Sequence, residues 1–180
     1  MRFTPIETER LILRPLEIAD AEHIFSTWTS DPRVTKFMIY STHKNVEETR
    51  QWLQTVADNA DNEKVLDAGF QLKETGKLIG SGGAYYQSQY DRWSLGYSLA
   101  YDHWHKGYTT EAARAIVDFL SAQGIKRFVA DHAIDNPNSG KVMEKIGMKF
   151  DHMGVYACFD DRVFDAKYYI MDLDRPDKEF

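Results

Sequence analysis

The hydrophobic pattern changes period several times along the chain, and each change marks an element. Residues 9 to 16, ERLILRPL, alternate apolar and polar positions and predict a strand. Ala21, Ile24, Phe25 and Trp28 then recur at helical spacing, with Asp20 placed to cap that helix. The stretch DPRVTKFMIYSTHK carries turn residues and aromatics and predicts a loop. Asn45 and Glu48 stand at capping-box spacing ahead of an apolar face of Thr49, Trp52, Leu53, Val56, Ala57 and Ala60. VLDAGFQLK and LIGSGGAYYQ follow as strands joined by the turn ETGK, and RWSLGYSLA adds a third. Three strands in succession predict an antiparallel meander.

The pattern then switches. A helix with Ala113, Ile116, Val117 and Leu120 on its core face ends at Gly124, and the strand KRFVADHAI follows. A strand, a helix and a strand in succession predict a right-handed crossover and a parallel pair. NPNSGKVMEKIG predicts a short helix, with Asn136 as cap, Pro137 at its first position and Gly147 beyond its end. Two strands around KFDHMGVYACF and VFDAKYYIMDL close the chain. The sum is an α/β (α+β) fold: a mixed sheet, antiparallel at both ends and parallel in the middle, with about four helices. No repeat, linker or low-complexity segment interrupts it, so one domain over 1–180 is expected.

Bulk properties narrow the class. Of 180 residues, 43% are hydrophobic and 28% charged, which excludes a disordered chain. The net charge of −6 argues against a dedicated nucleic-acid binder and mildly favours a cationic partner. The lone Cys158 forms no internal disulfide, which fits a reducing, cytoplasmic setting. Charges interrupt the apolar part of MRFTPIETERLILRPL, unlike a signal peptide, and no apolar run reaches membrane-spanning length.

The chemistry concentrates at HWHKGYTTEA, residues 103 to 112. A helix start has unpaired N–H groups and the positive end of a dipole, and usually gathers acids. Here the first acid of the helix is Glu111, preceded by Lys106, Gly107, Thr109 and Thr110. The spacing fits an anion site following a strand; it equally fits an ordinary turn with glycine. The glycine pattern is not a Walker loop, and GSGGA at 80 to 84 runs into a strand, so it is no dinucleotide fingerprint. That glycine run predicts a bulge or a close backbone approach. Asn136 and Ser139 open a second helix after the adjacent parallel strand, and a shared ligand accounts for both helix starts. Asp102, His103 and His105 lack a convincing further ligand set, so no metal is expected. His132 alternates with Ala130 and Ile134 as either a core histidine or a base.

These segments together resemble the GNAT superfamily of acetyl-CoA-dependent N-acetyltransferases, of the RimJ/RimL ribosomal-protein type. TERLILRPLEIADAEHIF resembles its opening strand and helix, LGYSLAYDHWHKGYTTEA its cofactor segment, and NPNSGKVMEKIGMKF its closing motif. The resemblance implies a splayed central strand pair with the pantetheine arm of acetyl-CoA between the strands. It implies that the backbone N–H groups of His105, Lys106, Gly107, Tyr108, Thr109 and Thr110 hold the pyrophosphate. The Leu99 backbone would pair with the pantetheine amides, and Asn136 and Ser139 would lie near the arm and sulfur. Met143 stands where many relatives carry an acid tyrosine, which leaves Ser139 as the thiolate acid. Ser94 stands where many carry a base glutamate, which leaves His132, Asp131, Asp135 or a water chain. Trp28, Tyr40, Tyr85 and Tyr97 are candidates for the substrate groove. The expected activity is direct acetyl transfer to a primary amine, either a protein N-terminus or a small molecule. A non-catalytic acyl-CoA-binding regulatory module is the alternative. The same resemblance admits a homodimer, while the net charge and the absence of a long apolar run lead to the expectation of no nucleic-acid and no membrane partner.

Overall fold

The structure is a computed structural model that describes residues 3–174. Eight strands form one sheet in the order β1-β2-β3-β4-β5-β6-β8-β7. They are β1 (Ile6–Glu7), β2 (Leu11–Arg14), β3 (Val65–Leu72), β4 (Leu78–Gln87), β5 (Arg92–Leu99), β6 (Arg127–Ala133), β7 (Lys149–Ala157) and β8 (Val163–Asp172). Every neighbouring pair is antiparallel except β5 and β6, so the predicted mixed sheet is present. Among the described residues, five α-helical segments surround it: α1 (Ala21–Ile24), which a π-helical turn continues over Phe25–Thr29, α2 (Pro32–Thr35), α3 (Val46–Asp58), α4 (Tyr108–Ala122) and α5 (Pro137–Lys145). Two of these, α1 and α2, are single turns, and α2 falls inside the predicted loop.

The parallel pair positions everything else. β5 and β6 are paired only at Trp93–Phe128 and Ser94–Val129. Beyond those residues β5 continues to Leu99 and β6 to Ala133 without pairing each other, so a wedge opens between them. On one side of the sheet lies the larger core, where Phe70, Leu95, Leu99 and Phe128 pack against Ala112, Ile116, Val117 and Leu120 of α4 and Met143 of α5. On the other side, α1 and α3 cover a smaller cluster of Leu16, Ile24, Trp28, Leu53 and Leu78. Strand alternation assigns the faces: Trp93, Leu95, Tyr97 and Leu99 point to the α4 side, and Ser94, Gly96 and Ser98 to the other.

Local expectations met mixed outcomes. Asn45 accepts from the Glu48 N–H at 3.2 Å, as a cap should, but Glu48 turns its carboxylate to the Lys44 N–H instead of the Asn45 backbone. Asp20 does not cap α1. Its carboxylate is taken by Arg14 and by the Glu17 N–H one turn earlier. Trp28 is removed from the substrate candidates: it is fully buried, and its indole fills the smaller core. Cys158 is buried, as a small strand-end residue would be.

The glycine run of β4 shows the predicted close approach. A Cβ at Gly83 would overlap the Leu66 carbonyl of β3, and one at Gly80 the Ser98 carbonyl of β5. Both obstacles are backbone, which cannot rotate aside. Gly83→Ala should therefore lower stability by about 1–3 kcal/mol, read as a lower urea midpoint in equilibrium unfolding.

Candidate active site

The helix α4 begins without a side-chain cap. Its N-cap is Gly107 at φ 82, a left-handed conformation that costs glycine little. His105 is also left-handed at φ 61. Among the described residues, the backbone N–H groups from His105 to Thr110 donate no hydrogen bond, and Glu111 is the first to do so, to the Gly107 carbonyl at 3.1 Å. The predicted donors are thus six consecutive N–H groups at the wide end of the wedge. Such a run of backbone donors at a helix start suits a phosphate anion. Lys106 reaches back to the Asp102 carbonyl at 2.8 Å and remains exposed.

Arg10 holds this loop, a role that the sequence did not disclose. Its guanidinium donates to the Lys106 carbonyl at 2.9 Å and to Glu111 Oε2 at 2.7 Å, and lies 4.5 Å from the Tyr108 ring centre. Glu111 also accepts from Thr8 Oγ1 at 2.6 Å and from the Arg10 backbone N–H at 2.8 Å. Burial alone would raise the Glu111 carboxyl, but these donors hold it below the usual glutamate range. The first carboxylate of α4 is therefore neutralised and turned away from the bare N–H groups. The TER segment offered a signal only in hindsight: Thr8 and Arg10 lie in the turn that leads into β2, beside α4.

The second helix start lies across the wedge. Ser139 Oγ donates to the Tyr97 hydroxyl at 3.2 Å, and that hydroxyl donates to the Ser139 carbonyl at 3.0 Å. Tyr97, a groove candidate, is thus placed with Ser139 and spans the gap from β5 to α5. Burial, with Asp131 adding to it, pushes its phenol well above the usual tyrosine range, so it stays protonated at neutral pH. Asn136 takes the predicted N-cap position of α5, but its side chain caps no N–H and makes no hydrogen bond among the described residues. The Leu99 carbonyl accepts from Trp104 Nε1 at 2.6 Å, so one of its two acceptor positions is already engaged.

His132 is not placed as a base. It is 6% exposed and lies on the α5 side of β6. Its Nδ1 donates to the Ala133 carbonyl at 2.7 Å, and its Nε2 has no partner. A Cβ at Gly140 would stand 2.5 Å from that Nε2, so the ring is sealed beneath α5. Asp131, its neighbour, points to the opposite face. Burial raises the Asp131 carboxyl to about 6. On that face a cavity of about 160 Å³ is lined by Tyr40, Trp52, Asp67, Ser81, Tyr85 and Ser98. Burial raises the Tyr40 phenol to about 12 and also raises the Asp67 carboxyl. Tyr85 stands 45% exposed, so two of the four groove candidates, Tyr40 and Tyr85, line this cavity. Met143 is buried in the core and offers no proton.

A split parallel pair, with an uncapped helix start at its mouth, defines the acetyltransferase class of fold. The chain belongs to the GNAT family: the acetyltransferase (GNAT) domain matches residues 10–149. It is 30% identical over 149 residues to the uncharacterized N-acetyltransferase YoaA of Bacillus subtilis (strain 168), covering 82% of this chain and 84% of that one. Two of the solved structures that share the fold illustrate its range. One is the acetyltransferase of Salmonella typhimurium that modifies the N-terminal serine of ribosomal protein L7/L12, with TM-score 0.81, 16% identity, and 95% and 100% of the two chains covered. The other is the microcin C7 self-immunity acetyltransferase MccE in complex with acetyl-CoA and AMP, with TM-score 0.77, 19% identity, and 92% and 93% covered. Among the described residues, no group of three His, Cys, Asp or Glu side chains is arranged to hold a metal, and no helix is long and apolar enough to cross a membrane.

The Arg10 cluster is separable from the anion site that it shapes. Arg10→Ala frees the Lys106 carbonyl and leaves Glu111 beside the open N–H groups. Loss of a charge-assisted bond of about 1.5–3 kcal/mol should weaken acetyl-CoA binding by about 10- to 150-fold. Calorimetric titration checks this, with circular dichroism confirming that the variant is folded.

Proposed function

We propose that the protein transfers the acetyl group of acetyl-CoA directly to a primary amine. The carrying observation is the run of six unbonded N–H groups beside the wedge. Residues His105 to Thr110 would hold the pyrophosphate, while Asn136 and the Leu99 backbone would meet the pantetheine arm. Bound there, acetyl-CoA supplies an activated acyl group, and the chain supplies position and proton handling. Holding acyl donor and amine together removes much of the entropic barrier to their reaction. The amine must be neutral to attack, so a base on the acceptor side is required.

On the departing-sulfur side, Ser139 donates its hydroxyl proton. Its bond to Tyr97 makes the two hydroxyls one donor pair, with the high-pKa phenol holding the serine in place. The wedge admits the amine from the face that carries Tyr40, Tyr85 and Asp131. A protein N-terminus is one acceptor of this kind, as for the Salmonella structural relative; a small amine is another. The 160 Å³ cavity holds one short side chain or a small amine head.

Titration of the protein with acetyl-CoA should show one saturable site, and a folded protein without one refutes this reading. With an amine that turns over, Ser139→Ala should lower kcat by about 10²–10⁴-fold with little change in acetyl-CoA affinity. Thiol release measures the first quantity and calorimetry the second; an unchanged kcat removes Ser139 from the acid role.

A further inference from the structure

The acceptor side of the wedge holds a carboxylate with no partner. Among the described residues, no hydrogen bond or ion pair reaches the Asp131 side chain, although the group is half-buried. Desolvating an unpaired carboxylate is costly, and a cation that fills the site recovers that cost. Its place in the sheet is fixed by register. Ser94 pairs with Val129 at the last rung before β5 and β6 part, and Asp131 is the next residue of β6 on the same face. It therefore stands at the apex of the wedge, on the side opposite α4 and α5.

The walls are aromatic. Tyr168 is the cross-strand partner of Asp131 on β8. The His152 ring stacks on Tyr168 at 4.7 Å, and the Tyr90 ring lies 6.3 Å away. Tyr156 is near enough for Asp131 to raise its phenol further, after burial. Tyr168 and Tyr156 donate their hydroxyls to the Val155 and Phe37 carbonyls, both at 2.9 Å, which fixes the rings. A carboxylate backed by aromatic rings is a site for an organic ammonium ion, combining ion pairing with cation–π attraction.

We infer that Asp131 receives the protonated amine of the acceptor and takes its proton, so that the acceptor is a primary ammonium ion held between Asp131 and the tyrosine wall. The inference rests on the acetyl-transfer reading above. In the step, RNH3⁺ gives one proton to the Asp131 carboxylate. The freed amine lone pair forms the C–N bond to the thioester carbonyl carbon as the C–S bond breaks and its electron pair leaves on sulfur. The second amine proton neutralises that thiolate through the Ser139 side. Asp131 returns its proton to solvent. The carboxylate missing at Ser94 is thus supplied from the neighbouring strand. A carboxyl raised to about 6 remains mostly ionised at neutral pH, yet binds a proton far better than an ordinary aspartate. The ionisable groups on its face are Tyr168 from β8, and Tyr156 and His152 from β7; Tyr97 of β5, whose phenol Asp131 also raises, lies on the helix side.

The test is binding, which needs no knowledge of the natural acceptor. The protein is saturated with CoA and titrated with phenethylammonium and, separately, with spermidine. Calorimetry is run at about pH 7.5 and about pH 5. Wild type should bind at least one amine roughly tenfold more weakly at the lower pH, because a group of pKa near 6 is then about one-tenth ionised. Asp131→Asn should bind it at least tenfold more weakly at the higher pH, and should lose the pH dependence. Retained CoA affinity shows that the variant is folded; if it is not, the wild-type pH arm decides. Equal amine affinity in the Asn variant, or pH-independent wild-type binding, overturns the proposal. So does wild type that binds CoA but neither amine. Failure to bind CoA at all overturns the acetyl-transfer reading instead.

Discussion

The structure depends on one interruption: β5 and β6 stop pairing after two rungs. A sheet interior rarely forgoes backbone hydrogen bonds, because each buried N–H and C=O needs a partner. Here the loss is confined by strong anchors around it. At the closed end, Arg92 of β5 forms a paired ion bridge with Asp172 of β8 and also reaches the Phe128 carbonyl of β6. On its far side β6 is fully paired with β8 over all seven residues, Arg127 to Ala133. β5 is likewise paired with β4 from Arg92 to Leu99. Each strand is thus held by its outer neighbour, and the two are free to part without fraying. Within the gap, Trp104 takes up the Leu99 carbonyl, and the Tyr97–Ser139 pair bridges the open side. What stays unsatisfied is concentrated at the mouth, in the N–H groups of residues 105 to 110.

Leaving those donors open constrains the charge around them. A helix dipole attracts acids to its first turn, and an acid there would occupy the site. The chain places Glu111 one residue beyond the bare turn and binds it on three sides through Thr8 and Arg10. The same Arg10 donates to the Lys106 carbonyl and lies on the Tyr108 ring. One side chain therefore fixes the loop shape, absorbs the competing carboxylate and links the turn before β2 to the crossover helix. The link joins residues about a hundred positions apart in sequence, so a contact this distant adds to the folding cooperativity of the cofactor side as well as to its shape.

Elements with a strong period were legible in the sequence. β4 and α4 lie where alternation and helical spacing put them, and the parallel crossover followed from their order. The bare start of α4 was legible too, because a missing early acid is a local signal. What escaped was set by tertiary contacts. Trp28 looks the same in sequence whether it lines a groove or fills a core, and only packing against Leu53 and Leu78 settles it. Asp20 is a good cap by residue type, but Arg14 and the Glu17 N–H compete for it and win. His132 and Asp131 are adjacent, so a strand sends them to opposite faces. Which face holds the helices is decided by the handedness of the crossover and by Gly140, whose missing Cβ leaves room for the imidazole.

That division of faces would let the proposed acid and base chemistry coexist at one wedge. Proton donation to sulfur and proton removal from nitrogen need groups of opposite readiness, a few ångströms apart, that do not neutralise each other. The sheet keeps them separate. On the helix side, burial keeps Tyr97 protonated, and its hydroxyl is exchanged only with Ser139. On the other side, burial raises Asp131 only to about 6, so it remains an anion at neutral pH while gaining affinity for a proton. The same physical cause, desolvation of a charged form, therefore produces a donor on one face and an acceptor on the other. The difference lies in the starting pKa of a phenol and of a carboxylate. Placing the acceptor carboxylate on β6 in place of Ser94 on β5 also moves it to the strand that bears the second helix start. The group proposed to hold the amine and the group proposed to quench the thiolate then share one short segment, Asp131 to Ser139, which runs from the end of β6 into α5.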